Sequence, residues 1–486
     1  MFFSRSHFRG KLHGRMQHWR RFRFPSRTRK MFDKRVTLAA EKTADKAISD
    51  FLSSAGQKRA IVVTAPAGAG KSWLVSEAVH RARKAGHRVA LASPTNEQAH
   101  GLVRRLADRF PQEAVTLFHS SSKPPPASVQ GPSVRLETRA DRLRSTDQVV
   151  VGTLDKFGDS ISRYWGQGLL DFDVLLIDEA YQADSSRYFA AGHLAPTHFL
   201  VGDSGQLNPF STMENPDRWR GLPEDPLQTA VGILLRNHAG ATPLHAMPIT
   251  RRLDSRAVPI ARSFYPTMSF DAAVNPGVRE LKLRNLAAST ARIRAMDKTL
   301  NLASRDGWSF LELKAAPVLT ADPDSIDAIV NLVARLLERQ PQVRCEREPR
   351  SGSLPARRIA VGVSHNDQKD LLRIRFDELR LTDVVVDTAN KLQGLEYDVL
   401  IAWHPLSGLA EADAFHLDPG RLCVLLTRHR HCCIVIGRAG IRELLEAVPP
   451  PTPAFLGHDP DPVLDGWEAH EKVLAGLDPF KVALPG

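Results

Sequence analysis

Glycines, a lysine and a hydroxyl group are concentrated in the stretch APAGAGKS, residues 65–72, which lies between an apolar run and a helical pattern. Glycine backbone lets N–H groups approach phosphate oxygens closely, and the N-terminal end of a helix adds positive partial charge. Lys71 would then reach the β- and γ-phosphates, and the Ser72 hydroxyl would bind Mg²⁺. The stretch therefore predicts a site for a nucleoside triphosphate with Mg²⁺. The loop residues expected around the phosphates are Ala65, Pro66, Ala67, Gly68, Ala69 and Gly70.

Two adjacent carboxylates end another apolar run, in the stretch LLIDEA, residues 175–180. In folds built around such a phosphate loop, an acid at the end of a neighbouring strand faces the same metal ion. We therefore expect Asp178 to hold Mg²⁺ through its water shell and Glu179 to act as general base on the attacking water. The alternative is that the two acids cap the next helix. It explains one carboxylate near a helix start but not the accompanying phosphate loop.

Short apolar runs alternate with helical patterns in two separate regions of the chain, which is typical of parallel sheets with crossover helices. The runs lie at 60–64, 89–92, 148–151, 174–177 and 198–201, and again at 359–363, 384–387, 398–402 and 432–436. The sequence thus predicts two α/β domains, each with a mainly parallel sheet flanked by helices. The predicted divisions are a basic tail (1–35), a first domain (36–245) with a short insertion (about 101–147), a second domain (246–447) with an irregular insertion (about 268–356), and a C-terminal tail with a short helix (448–486).

The composition is typical of a soluble globular protein, with 42% hydrophobic and 25% charged residues. The sequence contains no run of about 18 apolar residues, so no transmembrane helix is predicted. The N-terminus also lacks the apolar segment of a secretory signal. Four cysteines are too few for a disulfide framework in 486 residues. These observations favour a reducing, cytoplasmic setting.

The net charge of +12 is concentrated in the first 30 residues, which carry ten Lys or Arg residues and no acidic residue. Such a tail can bind nucleic-acid phosphates without sequence preference, and its interleaved Phe and Trp side chains can stack on bases. The alternatives are a disordered tail, a start codon assigned too early with Met31 as the true start, and a transit peptide.

Seven further stretches can be compared with known motifs. They are ASPTNEQA (92–99), VGTLDKF (151–157), LVGDSGQLNPF (200–210), ITRRLDS (249–255), VGVSHNDQ (361–368), VDTANKLQGLEYDVLI (386–401) and LLTRHRHCCIVIG (425–437). With the phosphate loop and the paired acids, they resemble in type and order the motifs of superfamily 1 helicases, of the branch that contains the nonsense-mediated-decay RNA helicase and related DNA-replication helicases. The resemblance spans about residues 58–438 and implies two RecA-like P-loop NTPase domains.

This resemblance implies a nucleotide site shared between the two domains. Gln206 would hydrogen-bond the γ-phosphate or the attacking water, with Asp203 in support. Arg252 would bind the γ-phosphate from the second domain. Arg428 would act as an arginine finger that neutralises transition-state charge, an effect worth about 10³–10⁵ in rate. The other implied nucleotide contacts are Gly394 at the γ-phosphate, Glu396 at the ribose, and Arg251, which replaces the aromatic residue that stacks on the base in the family.

The resemblance also implies contacts with a single strand of nucleic acid, with DNA slightly favoured over RNA. The implied contact residues are Thr95, Asn96, Thr153, Thr388 and Gln393. Small polar side chains suit phosphate contacts that carry no sequence information. Thr95 or Asn96 can also cap the following helix, and the two roles can coexist.

An NTP-dependent helicase or translocase, with ATP as the expected nucleotide and Mg²⁺ as cofactor, is the function that these motifs predict. The alternatives are a nucleic-acid-binding ATPase switch without unwinding activity and a protein-remodelling ATPase without a nucleic-acid track. Two departures from the family bear on this choice. Residues 36–56 contain no glutamine to read adenine. Only about 50 residues separate the stretches at 92–99 and 151–157, which leaves room for a short hairpin or helical insert at most.

The crowded residues His429, His431, Cys432 and Cys433 could suggest a metal site. Their spacing fits no zinc pattern, and the two cysteines begin an apolar run. Buried free cysteines are therefore the expected state.

Overall fold

Two parallel β-sheets, one in each half of the chain, organise the structure, which is a computed structural model. It describes residues 31–164, 170–207, 228–318, 321–447 and 462–486, together with Pro209, Trp219 and Asp225. Residues 1–30 of the predicted basic tail lie outside the described residues.

The first sheet contains eight strands within the described ranges. They are β1 (Arg59–Thr64), β2 (Val89–Ser93), β3 (Val115–Phe118), β4 (Val134–Glu137), β5 (Val149–Thr153), β6 (Val174–Asp178), β7 (Thr197–Gly202) and β8 (Leu244–Ala246). Their order is β4-β3-β5-β2-β6-β7-β1-β8, and all neighbours are parallel. Thr64 is level with Gly202, and Asp178 with Val201. The phosphate loop and the paired acids, which follow β1 and β6, therefore share one edge of the sheet.

Helices cover both faces of this sheet. They are α1 (Lys34–Ser53), α2 (Lys71–Lys84), α3 (Asn96–Arg109), α4 (Leu154–Tyr164), α5 (Ser185–Gly192) and α6 (Ala230–His238). The first helix begins where the Asp33 carboxylate accepts hydrogen bonds from two helical N–H groups. Its buried side, which includes Ala47 and Phe51, packs in the same core as the apolar residues of β1 and α2.

The predicted insertion at about 101–147 is part of the main sheet rather than a separate hairpin. It contains the second part of α3 and the strands β3 and β4. Strand β3 pairs with β5, and β4 pairs with β3, both in parallel orientation. Leu117 and Phe118 are buried in cores shared with the neighbouring helices. Burial of such side chains favours joining the sheet over projecting into solvent.

The segment 247–275 connects the two domains and contacts both. Its elements are β9 (Ile249–Thr250), α7 (Val258–Ala261) and β10 (Asp271–Ala272), and the two strands pair with each other. Ile249 and Ala273 belong to the core of the first domain, whereas Val258 and Phe270 lie in the core of the second. The chain therefore packs first on the first domain, then on the second, and then on the first again. The division predicted at 245/246 is thus replaced by the whole segment 247–275, which crosses between the domains.

The second sheet contains six strands within the described ranges. They are β12 (Trp308–Leu313), β15 (Ile359–Val363), β16 (Val385–Thr388), β17 (Tyr397–Trp403), β18 (His429–Arg438) and β19 (Lys481–Ala483). Their order is β16-β15-β17-β18-β12-β19, and all neighbours are parallel. A small antiparallel sheet is formed by β11 (Glu280–Lys282), β13 (Gln342–Arg344) and β14 (Gly352–Ser353).

The helices of the second domain include the one that ends next to Arg428. They are α8 (Ala291–Asp306), α9 (Pro323–Glu338), α10 (Asn366–Glu378), α11 (Ala389–Leu392), α12 (Ala414–Leu417), α13 (Pro419–Thr427), α14 (Ile441–Ala447) and α15 (Pro462–Leu477). The Asp418 side chain caps α13, whose residues are almost all buried. This short apolar helix is therefore a rigid support for the residue that follows it.

Two predicted divisions of the second half differ from the structure. The insertion expected at about 268–356 contributes β12 to the main sheet, between β18 and β19. The tail expected from residue 448 supplies the predicted short helix, α15, and also β19, so it is part of the domain. Apolar burial accounts for both differences, since Trp308 and Val473 lie in the domain core.

The predicted fold class, two RecA-like α/β domains with mainly parallel sheets flanked by helices, is confirmed. Among the helices described, none combines the length and apolar character that crossing a membrane would require.

Candidate active site

The phosphate loop connects β1 to α2 and needs glycine at two points. Gly68 and Gly70 have φ angles of 76° and 98°, in the left-handed region that glycine adopts without strain. The Ala65 N–H donates to the Gly202 carbonyl (2.9 Å), which fixes the start of the loop to β7. The loop therefore presents its backbone at the N-terminal end of α2, where the helix dipole favours an anion.

The connecting segment covers the outer side of this loop. The Thr250 hydroxyl donates to the Ala67 carbonyl at 2.7 Å. Arg251 donates to the next two carbonyls, through its N–H to Gly68 (2.8 Å) and through its guanidinium to Ala69 (2.8 Å). The carbonyl oxygens of these three consecutive loop residues would otherwise repel a phosphate. They are instead hydrogen-bonded to donors of the connecting segment.

Gly68→Ala is expected to weaken nucleotide binding. A Cβ at this position would lie 2.3 Å from the Cβ of Arg252 and 2.8 Å from its backbone nitrogen, so loop and segment would have to separate. With the added strain of a left-handed residue, about 1–3 kcal/mol, we expect affinity for a fluorescent ATP analogue to fall about tenfold or more in equilibrium titration.

Gly86→Ala is the matched control for this prediction. Gly86 has a φ of 91°, but a Cβ there would meet nothing within 4 Å. The control should lose about 1 kcal/mol of stability and keep wild-type nucleotide affinity. Wild-type affinity in Gly68→Ala would contradict the described role of the loop.

Lys71, the first residue of α2, forms a buried ion pair with Asp203 (Nζ–Oδ2 3.0 Å). Gln206 donates to the same carboxylate oxygen, and the Gly205 N–H donates to the other (3.1 Å). Burial alone would lower the pKa of Lys71, but Asp203 and Glu179 outweigh it and raise that pKa. Lys71 is therefore held as a cation in the cleft, where a phosphate would compete with Asp203 for it.

The paired acids lie at the carboxyl end of β6. Asp178 is buried, and Glu179 follows it with a φ of 55°. Burial raises the pKa of both carboxyl groups, although Lys71 opposes the shift. A carboxylate with a raised pKa accepts a proton more readily, which suits Glu179 to general-base chemistry. Helix capping does not explain the pair, because the Asp184 side chain caps α5.

The oxygen donors beside the loop fit the coordination chemistry of Mg²⁺. The Ser72 hydroxyl and the Asp178 carboxylate are the hard ligands that this ion prefers. The Arg105 guanidinium stands 3.8 Å from Asp178. The Arg105 side chain is 43% exposed, so it can move away. A buried carboxylate that already attracts a displaceable cation is a suitable place for a metal ion.

Arg428 reaches the same cleft from the second domain. It is completely buried between α13 and β18, and its Nε and Nη2 atoms have no hydrogen-bond partner among the described residues. Burial and the nearby Arg252 lower its pKa to about 10. Buried donors without acceptors are costly, and an anion in the cleft would satisfy them.

Arg252 forms an ion pair within the second half of the chain. Its Nε lies 3.3 Å from Glu396, and its Nη1 donates to the Thr427 carbonyl (3.3 Å). Burial would raise the pKa of Glu396, but Arg252 and Arg347 outweigh it and lower that pKa. The residues expected at the γ-phosphate and the ribose therefore contact each other in this structure.

A further ion pair, which the sequence did not reveal, holds the backbone of Arg251 and Arg252. Arg279 forms two hydrogen bonds with Glu346 (2.9 and 2.8 Å). Its guanidinium also donates to the carbonyls of Arg251 (2.7 Å) and Arg252. Both members of the pair lie in the stretch predicted to be irregular, where no motif marks them.

The threonines expected to contact nucleic acid lie where strands end. Thr153 ends β5 and is level with Ser93, two residues before Thr95, and Thr388 ends β16. Thr95 forms a capping box with Gln98, so the capping alternative is realised there. Asn96 is the first residue of the helix that this box begins. The two first-domain threonines are thus neighbours on one edge, as a shared track requires.

Gln393 faces the nucleotide side of the cleft in this structure. Its amide donates to the Gln206 side-chain oxygen at 3.1 Å, across the domain boundary. Gly394 follows with a φ of 81°, and a Cβ there would meet nothing within 4 Å. The residue expected on the nucleic-acid side is therefore in direct contact with one expected at the γ-phosphate.

The crowded histidines and cysteines at 429–433 make structural contacts. His431 lies between Asp398 (3.1 Å) and the Arg344 carbonyl (3.0 Å). Cys432 and Cys433 are buried and free, which confirms the prediction. Burial raises the pKa of Cys432 to about 12, so this thiol stays protonated.

Comparison with known proteins gives two family matches. Residues 43–214 match one family model and residues 318–440 match another, and each is described as an AAA domain. The first match contains the phosphate loop and the paired acids, and the second contains Arg428. No curated protein sequence matches the chain significantly.

Solved structures of the arterivirus nonstructural protein 10, a helicase, are also similar. One is a complex with DNA, with 11% identity and a TM-score of 0.39. Another has 10% identity and a TM-score of 0.37. Each alignment covers 83% of this chain, which spans 65% and 64% of those chains, slightly less than two thirds.

Proposed function

We propose that the chain, in which residues 43–214 and 318–440 each match an AAA-domain family model, is a P-loop NTPase of the superfamily 1 helicase type that hydrolyses ATP and uses the cycle to step along single-stranded nucleic acid. The observation that carries this proposal is the convergence of two domains on one buried cleft. There Gln206, which shares the Asp203 carboxylate with Lys71 of the first domain, accepts a hydrogen bond from Gln393 of the second domain at 3.1 Å.

ATP binding would begin at the phosphate loop. The triphosphate would lie at the N-terminal end of α2, and Lys71 would exchange Asp203 for the β- and γ-phosphates. Ser72 and Asp178 would hold Mg²⁺, which would neutralise phosphate charge.

Hydrolysis would use residues from both sides of the cleft. Gln206 would orient the attacking water, and the Glu179 carboxylate would accept its proton. The unsatisfied donors of Arg428 would bind the charge that develops on the γ-phosphate. Because Arg428 comes from the second domain, the rate would depend on how the two domains close.

The contact between Gln206 and Gln393 supports coupling of the nucleotide to nucleic acid. The domains also meet closely beside it, since a Cβ at Gly420 of α13 would lie 2.6 Å from the Gln206 backbone. A shift of Gln206 that follows loss of the γ-phosphate would therefore reach Gln393, and through α11 the Thr388 at the end of β16. We place the nucleic-acid strand over the strand ends that carry Thr95, Thr153 and Thr388.

Equilibrium binding in two nucleotide states tests this coupling. Fluorescent single strands of DNA and RNA would be titrated with the protein in a non-hydrolysable ATP analogue and in ADP. We expect affinity for one of the two nucleic acids, DNA being the first choice, to differ between nucleotide states by about 5-fold or more. Equal affinity in both states would contradict coupling through the cleft.

A second candidate is an ATPase switch that binds nucleic acid without unwinding it. It is favoured by the way β3 and β4 join the main sheet, so that the described residues between α3 and β5 form no separate subdomain. A strand-displacement assay distinguishes the two functions. ATP hydrolysis stimulated by single strands, without displacement of a paired strand, would support the switch.

A further inference from the structure

Tyr265 lies at a junction between the phosphate loop, Asp203 and the second domain. Its hydroxyl donates to Asp203 Oδ1 (2.9 Å) and accepts from the N–H of Ala67 in the loop (3.0 Å). The sulfur of Cys423 in α13 lies 3.6 Å from the same oxygen. One hydroxyl group therefore contacts three elements that are distant in sequence.

The ring of Tyr265 is closely packed. It is buried in the second-domain core and packs edge-on against Phe270, with ring centres 5.3 Å apart. A Cβ at Gly205 would lie 2.6 Å from the ring, so the loop after β7 closes tightly over it. Burial and the nearby Asp203 raise the pKa of Tyr265 well above its usual value, so the hydroxyl keeps the proton that it donates.

Asp203 would depend on this donor most with nucleotide bound. In this structure Lys71 and Gln206 bind one of its oxygens. Tyr265 and the Gly205 N–H bind the other. When Lys71 turns to the phosphates, Asp203 loses its lysine partner. The remaining donors then have to keep a buried carboxylate, and the Gln206 attached to it, in position.

We propose that Tyr265 is a positioning residue for ATP hydrolysis, which holds Asp203 and thereby Gln206 in place while Lys71 binds phosphate. The inference rests on the proposed ATP hydrolysis. Tyr265 does not touch the reacting atoms, and it acts through the Asp203 carboxylate. Because its ring belongs to the second-domain core, it also ties the catalytic position of Gln206 to the position of that domain.

Tyr265→Phe in the full-length chain tests this role, because it removes the hydroxyl and keeps the ring. We expect kcat to fall on the order of 10-fold, the effect of losing one hydrogen bond to a charged group. We expect a smaller change in KM for ATP, since Lys71 and the loop remain. A merely structural role would lower the melting temperature and leave kcat unchanged at temperatures where the variant is folded.

Tyr188→Phe is the matched control. Tyr188 is also buried, and its hydroxyl lies 2.7 Å from His198 Nδ1 in the first domain, outside the contacts of the cleft. Loss of the Tyr188 hydroxyl should lower the melting temperature by about as much as Tyr265→Phe does, and it should leave kcat unchanged.

A double-mutant cycle identifies the route of the effect. If Tyr265 acts through Gln206, Tyr265→Phe should cost little further kcat in a Gln206→Ala background. A full additional loss in that background, or wild-type kcat in Tyr265→Phe, would overturn the inference while ATP hydrolysis itself stands. Wild-type protein without ATP hydrolysis would overturn the proposed function and the inference together.

Discussion

Glu179→Gln is expected to lower the kcat of ATP hydrolysis by roughly 10²–10⁴-fold, the range that a positioned general base contributes. The amide cannot accept the proton of the attacking water, although it keeps the shape of the side chain. The carboxylate that it replaces lies at the carboxyl end of β6, where burial raises its pKa. Because Lys71 and the phosphate loop are unchanged, ATP affinity measured by equilibrium titration should stay within a few-fold of wild type.

The control for this variant is Glu137→Gln. Glu137 is likewise a glutamate at a strand end, but it is the buried last residue of β4 on the far edge of the sheet and pairs with Arg135 (2.8 Å). It should keep wild-type kcat. A Glu179→Gln enzyme that turns over ATP at the wild-type rate would show that another group accepts the proton.

Arg428→Met is expected to lower kcat about 10³–10⁵-fold, as the loss of an arginine finger does, and yet to stabilise the nucleotide-free protein. The guanidinium is completely buried, and two of its nitrogen atoms have no hydrogen-bond partner in the described part of the chain. An apolar side chain of similar length removes the cost of burying them. Replacing buried charges by apolar groups stabilises proteins by about 1–4 kcal/mol in favourable cases. Thermal unfolding without nucleotide and steady-state hydrolysis measure the two effects on the same preparation.

Arg438→Met is the informative comparison for Arg428→Met. Arg438 is nearly as buried, but it forms a bidentate ion pair with Asp322 (2.7 and 2.7 Å). Its loss leaves a buried carboxylate and should destabilise by about 3–5 kcal/mol, with kcat preserved in the folded fraction. A destabilised Arg428→Met with normal kcat would show that Arg428 is a structural residue.

The phosphate loop and the paired acids could be predicted from the sequence because their signals are local. The residues that would contact one phosphate chain lie within the eight letters of APAGAGKS, next to a readable apolar run. The fold class followed from the same runs, since parallel strands buried on both faces are nearly continuous in apolar residues. The cleft between the domains could be expected only from resemblance, because no spacing along the chain sets the distance between Lys71 and Arg428.

Contacts between distant segments account for most of what was missed. The Tyr265 hydroxyl bonds to residues 198 and 62 positions away, and its stretch carries no glycine or charge pattern that indicates such a role. Arg279 and Glu346 are similarly 67 positions apart. The strand β19 is only three residues long. Its pairing with β12 is a tertiary contact that hydrophobic periodicity does not report.

The most direct test of the cleft is steady-state ATP hydrolysis by the full-length protein with Mg²⁺, measured with and without single-stranded DNA and RNA. The account predicts a low basal rate that rises severalfold with one of these nucleic acids, and loss of both rates in Glu179→Gln. Hydrolysis that neither nucleic acid changes would contradict the stepping mechanism, and a rate that persists in Glu179→Gln would contradict the site itself.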